Sequence, residues 1–206
     1  WKTFRNIFRT PSGVVLHLTH LDLSHNIFGY AGMKRFGEAL SLGSLETLTN
    51  LNLALNDVGP EGMNVLAGAI SMGSLNTIAN LELRSTNVGD EGMKSLAKVI
   101  SKGALKNLTN LNLSDNTIRD EGMKAFAKAV SKEALNNLKI LDLSYNVVGD
   151  EGMKSFAEAI SKGALKNLKT LNLSCNNIGY TGALNNIDTL MLGGNPIVSE
   201  AFAIDV

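Results

Sequence analysis

The sequence predicts an α/β solenoid: a curved, horseshoe-like segment with a parallel β-sheet on its concave face and helices on its convex face. Three observations predict it. The pair Leu-x-Leu recurs at Leu21/Leu23, Leu51/Leu53, Leu81/Leu83, Leu111/Leu113, Leu141/Leu143 and Leu171/Leu173, each step being thirty residues. Within each step a stretch of period two gives way to a stretch of helical period, so one unit holds a strand and a helix. The same punctuation follows most helices, because Gly43, Gly73, Gly103 and Gly163 fall where a left-handed cap is usual. A lone unit cannot bury its leucine face; stacked neighbours bury it. Helices are wider than strands spaced about 4.8 Å apart, so the stack curves with the sheet inside.

Each element has its own local reason. Leu108-Thr-Asn-Leu111-Asn-Leu113 alternates, which reads as a short strand with leucines on one face. Asp120-Glu-Gly-Met123-Lys-Ala-Phe126-Ala127-Lys-Ala-Val130 places apolar residues at helical spacing. Asp-Glu opens the helices at 90, 120 and 150, and Lys closes them at 102, 132 and 162, which suits the helix dipole. Glu133 takes the place of the cap glycine once. A seventh pair, Leu190/Leu192, comes only nineteen residues after the sixth, because Thr181-Gly182 runs straight into Ala183-Leu184 and the helical stretch is missing.

Leu48-x-x-Leu51-x-Leu53-x-x-Asn56-x-Val58, followed by Gly62 and Leu66, resembles the Leu-x-x-Leu-x-Leu-x-x-Asn-x-Leu signature of leucine-rich-repeat proteins. The long helical half makes the unit similar to the ribonuclease-inhibitor-like subfamily. The resemblance covers about residues 15–198. It implies a non-catalytic protein-interaction scaffold or a structural subunit of a larger assembly. It also admits a regulator of an enzyme, of the inhibitor or GTPase-activating type, or the sensing domain of a larger intracellular receptor. Residues 1–13 read as an amphipathic N-terminal cap segment, and 14–206 as a repeat domain of about seven units, the last shortened, with a short C-terminal cap.

Nineteen basic residues balance nineteen acidic ones, which removes the simplest reason to expect a nucleic acid or an anionic membrane as partner. The charge is uneven, with a basic head and, after Lys169, an acidic tail. Cys175 is the only cysteine, so no intrachain disulfide forms, and the chain reads as intracellular, in the cytoplasm or within an organelle. No apolar run reaches transmembrane length.

Several residues invite a chemical role and have a plainer one. Asn26, Asn56, Asn116, Asn146, Asn176 and Asn195 recur just after the strand, where a side-chain amide can bond the backbone of adjacent turns as a stacked ladder. Thr86 interrupts the column, so the third turn is expected to be the least regular. Met33, Met63, Met93, Met123 and Met153 lie one unit apart and read as core. Gly89-Asp-Glu-Gly92-Met-Lys94 has the wrong spacing for a phosphate loop. His17 and His20 point to opposite faces of a strand and share no ligand set with His25, so no metal is expected. Nor is a cofactor.

Recognition is expected where the copies differ. The inward strand positions are mostly small and polar, with Glu82, Arg84 and Asp142 as departures. The column before the asparagine varies most, reading His25, Leu55, Ser85, Asp115, Tyr145 and Cys175. Partner contacts are therefore expected at His25, Glu82, Arg84, Asp115, Asp142 and Tyr145, with an internal Glu82–Arg84 pair as the plainer alternative. Trp1, Phe4 and Phe8 space apolar groups along the basic N-terminal segment, as a cap over the first unit or as a docking segment. Val198, Phe202 and Ile204 are expected to close the other end.

Overall fold

The computed structural model describes residues 17–41, 43, 45–131, 134–179, 184 and 187–196. Strands and helices alternate along the chain: β1 (His20–Asp22), α1 (Tyr30–Ser41), β2 (Asn50–Asn52), α2 (Gly59–Ser71), β3 (Asn80–Glu82), α3 (Gly89–Ile100), β4 (Asn110–Asn112), α4 (Asp120–Val130), β5 (Ile140–Asp142), α5 (Asp150–Ser161), β6 (Thr170–Asn172) and β7 (Thr189–Met191). The seven strands form one open parallel sheet in sequence order. Each pairs with the next in a register of thirty residues, as in Leu81↔Leu111, until Leu171 meets Leu190. The chain is thus a strand-and-helix solenoid, an open horseshoe segment with the sheet inside.

The core is a single continuous stack. From Leu51 to Leu173 both leucines of every strand are at most 1% exposed, and the five repeat methionines are fully buried. Phe126 stacks on Phe156 with ring centroids 6.1 Å apart, so aromatic rings also follow the repeat. At roughly 2 kcal/mol for each fully buried Leu or Met side chain, this apolar column dominates the favourable side of folding. At the ends of the described array Leu21, Leu23, Leu190 and Leu192 are only half-buried. The cap segments expected at Trp1, Phe4 and Phe8 and at Val198, Phe202 and Ile204 lie outside the described residues.

Helix ends differ in detail from expectation. Gly43, Gly73, Gly103 and Gly163 do adopt left-handed backbone, with φ of 74°, 96°, 85° and 91°. α3 stops at Ile100, however, so Lys102 lies in the turn beyond it, and Lys98 and Lys128 are the cations of the last turns. Lys162 occupies the C-cap position of α5 and pairs with Glu158. Lys132 and Glu133 lie outside the described residues.

Candidate functional site

The turn after each strand sets the geometry of the rim. Asn146 donates from Nδ2 to the carbonyls of Leu113 (2.9 Å), Leu143 (3.0 Å) and Ser144 (3.2 Å), and its Oδ1 accepts the N–H groups of Asn116 and Ile118. One side chain therefore ties its own bend to that of the preceding unit. Asn56, Asn116, Asn176 and Asn195 bridge in the same way. Asn26, which has no described unit before it, bonds among the described residues only its own Leu23 and Ser24 carbonyls and is exposed. Thr86 donates to Leu83 O at 2.6 Å, and its side chain makes no bond to the second unit. The irregularity is not confined to that turn, since Thr117 of the fourth unit is left-handed like Asn87 of the third.

The variable column has a backbone reason. His25, Leu55, Ser85, Asp115, Tyr145 and Cys175 all have φ between 52° and 57°. A left-handed residue at the strand's end turns its side chain out of the packed stack, so packing does not fix its identity. β-branched residues are disfavoured there, and the column contains none. Tyr145 is 64% exposed. Hydrogen bonding of its hydroxyl toward the Cys175 sulfur pushes the phenol's pKa up. Asp115 is exposed and accepts a hydrogen bond from the Ser85 hydroxyl at 2.6 Å.

On the concave face the strand side chains at 22, 82 and 142 are carboxylates. Asp142 Oδ1 accepts both the N–H (2.9 Å) and the hydroxyl (2.6 Å) of Ser144. The Ser24 hydroxyl and N–H hold the Asp22 pKa below its usual value. Glu82 differs, because burial, reinforced by the charge of Asp142, pushes its pKa up. Arg84 is exposed, and among the described residues Glu82 and Arg84 form no ion pair. The expected site residues thus occupy one continuous concave face and rim. A shallow depression of about 450 Å³, lined by His20, Asp22, Asn50, Asn52, Asn80 and Glu82 among others, lies at its β1–β3 end.

The raised pKa of Glu82 predicts a pH-dependent stability. Its ionised form is worse off in the folded chain, so it lowers stability at neutral pH, and this penalty disappears as pH falls through the folded-state pKa. Glu82→Gln is expected to raise the thermal midpoint at neutral pH and to give no gain below the ordinary carboxyl value of 4.5. Thermal melts across the acid range check it; a gain that persists in acid would assign the effect to packing.

The sequence pattern described as "Leucine Rich repeat" matches residues 16–37, 44–67, 75–97, 104–127, 134–157 and 164–185, well over half of the chain. The chain belongs to the leucine-rich-repeat family. Among curated proteins no similar sequence is found. Among solved structures this leucine-rich-repeat chain is similar to a pollen receptor kinase 3, with 17% identity, 80% of this chain and 70% of that chain covered, and a TM-score of 0.43. It is also similar to an internalin (inlF) from Listeria monocytogenes str. 4b F2365, with 16% identity, coverage of 78% and 65%, and a TM-score of 0.28.

A second ladder in this leucine-rich-repeat array escaped sequence reasoning. Asp90 Oδ1 accepts the N–H groups of Arg119 (2.8 Å) and Gly122 (2.9 Å), and Asp120 Oδ1 those of Gly149 (2.7 Å) and Gly152 (3.0 Å). Asp150 Oδ1 likewise accepts Gly179 N–H at 2.7 Å. Each carboxylate therefore sits in the first turn of its own helix and binds backbone N–H groups at the matching turn of the next unit. The Asp-Glu pairs reveal a helix start, but only the thirty-residue offset between units shows where the aspartate points. Asp120→Ala is expected to cost about 1–2 kcal/mol, the scale of losing an N-cap. Urea denaturation checks it against Lys124→Ala, whose exposed ion pair with Glu121 is a surface contact.

Among the described residues no helix is long and apolar enough to cross a membrane, and no group of three or more His, Cys, Asp or Glu side chains could hold a metal ion.

Proposed function

We propose that the chain is a non-catalytic interaction scaffold or structural subunit that grips a protein partner on its concave face and rim, through His25, Glu82, Arg84, Asp115, Asp142 and Tyr145. Leucine-rich-repeat proteins bind proteins, and this family membership supports the class of function. The observation that carries the placement is the coexistence on one face of an exposed Tyr145, an exposed Arg84 and a half-buried Glu82 without an ion-pair partner among the described residues. Tyr and Arg are the side chains from which interface hot spots are most often built, and a carboxylate short of compensation gains from a partner's cation. Helices of 11–13 residues in thirty-residue units support placement in the ribonuclease-inhibitor-like subfamily. A single cysteine, half-buried and free, supports a compartment inside the cell.

The test is affinity purification from the source cell with the wild-type chain, Tyr145→Ala and Arg84→Ala, followed by affinities for the recovered partner. Tyr145→Ala is expected to weaken binding by about tenfold or more, with an unchanged circular dichroism spectrum. Binding unchanged in both variants would move the site to the lysine-bearing convex helices or to the chain ends.

A further inference from the structure

The middle inward position of successive strands reads Asp22, Asn52, Glu82, Asn112, Asp142, Asn172, each in register with the next. Carboxylate and carboxamide alternate across six strands. Asn172 Nδ2 donates to Asp142 Oδ2 at 3.1 Å, and Asn112 and Asn52 stand in register beside Glu82 and Asp22. Among the described residues none of the three carboxylates enters an ion pair.

The spacing of these charges selects a ligand shape. Carboxylates two strands apart are separated by roughly 9.6 Å, at about 4.8 Å per strand. A polyproline II segment rises about 3.1 Å per residue with three residues per turn, so side chains at i, i+3 and i+6 share one side at intervals of about 9.3 Å. Over the two intervals from Asp22 to Asp142 the mismatch is about 0.6 Å, well within the reach of a lysine stem. In a β-strand, residues i and i+3 fall on opposite faces. In an α-helix, residues i and i+7 give about 10.5 Å, and the error grows three times as fast. A polyproline-type backbone also carries unbonded N–H and C=O groups, and Asn50, Asn80 and Asn110 run beside the charged line in the same register. Arg84, two residues beyond Glu82 at the end of β3, is exposed and offers donors to such carbonyls.

We propose that the concave face takes an extended, polyproline-type segment of a partner protein with Lys or Arg at every third residue, one cation to each of Asp22, Glu82 and Asp142. This rests on the reading of the chain as a protein-interaction scaffold and gives its partner a chemistry.

The test is fluorescence anisotropy with the whole chain and labelled (Lys-Pro-Pro)-repeat peptides, against peptides of the same composition with the lysines in one block. The periodic peptide is expected to bind about tenfold tighter. Asp22→Asn, Glu82→Gln and Asp142→Asn are each expected to weaken it about threefold to tenfold, while Glu82→Gln raises thermal stability at neutral pH. Opposite movements of affinity and stability in one variant separate binding from a structural role. Equal affinity for the blocked peptide, unchanged affinity in all three variants, or tighter binding of a helical peptide with lysines at every seventh residue would each overturn the proposal. A cellular partner lost with Tyr145→Ala but kept by the triple variant would overturn this segment alone and leave the scaffold reading in place. A partner kept by all of these variants would overturn both.

Discussion

Asn146→Ala is expected to lower the stability of the chain by about 3–5 kcal/mol, because it orphans backbone groups in two units at once. The Asn146 carboxamide accepts from Asn116 N–H and Ile118 N–H and donates to Leu113 O, all in the preceding unit, besides closing its own turn. Alanine leaves these buried groups without partners, at about 1–3 kcal/mol for each that water cannot reach. Asn26→Ala provides the control: the same residue in the same turn, but exposed and, among the described residues, bonded only within its own unit, is expected to cost under about 1 kcal/mol. Thr86 gives a natural intermediate, since its hydroxyl bonds Leu83 O of its own turn and lies 3.2 Å from Asn116 Oδ1 of the next unit, but bonds no described group of the preceding unit. Thr86→Asn is therefore expected to stabilise, and Asn146→Thr to cost less than Asn146→Ala. Urea denaturation measures all four. A defect in the middle of a nearest-neighbour array can also split a single transition into two. Equal costs at Asn26 and Asn146 would show that bridging between units contributes little.

The fold was legible because the repeat is read many times over. Six copies of Leu-x-Leu at one spacing leave no freedom in register, and β1 to β6 pair at that spacing. The methionine stripe was legible as core for the same reason, being in phase with the leucines. What a single sequence does not show is where a polar side chain points when its partner is thirty residues away. Asp90 and Asp120 look like ordinary acidic first-turn residues, and their real bonds are to the next helix. Variation in the rim column looks like specialisation, yet the left-handed backbone of Tyr145 and its counterparts frees that position from packing, with or without a ligand. The alternation of Asp22, Asn52, Glu82, Asn112, Asp142 and Asn172 needed the strand register before its period of two units had a length in space. Departures from a repeat therefore carry functional information only after the backbone's share of the variation is removed.

Glycine in the helices shows how the same substitution takes opposite signs in one repeat. In an exposed helix, Gly→Ala stabilises by roughly 0.5–1 kcal/mol, because alanine has less backbone freedom to lose. Gly68→Ala, in α2, should follow that rule, since an added methyl would meet nothing within 4 Å. Gly152→Ala, in the first turn of α5, should break it. A Cβ there would lie 2.8 Å from Asp120 Oδ1, 3.0 Å from Asp120 Cα and 3.0 Å from Met123 Cβ. The Oδ1 atom is the acceptor for Gly152's own N–H, and the Cα belongs to the backbone of the neighbouring helix, so neither can yield without loosening the contact between α4 and α5. Overpacking of this kind costs about 1–3 kcal/mol, enough to outweigh the helix-propensity gain. The same crowding recurs at Gly62, Gly92 and Gly122, where an added Cβ would lie within 3.3 Å of a preceding-unit residue, so the Gly-Met pair is a recurring point of close helix approach from α1 to α5. Chemical denaturation of the two variants should show a higher midpoint for Gly68→Ala and a lower one for Gly152→Ala. Stabilisation by both would mean that the helices can separate at their N-termini at little cost, and that the glycine column serves some end other than close packing.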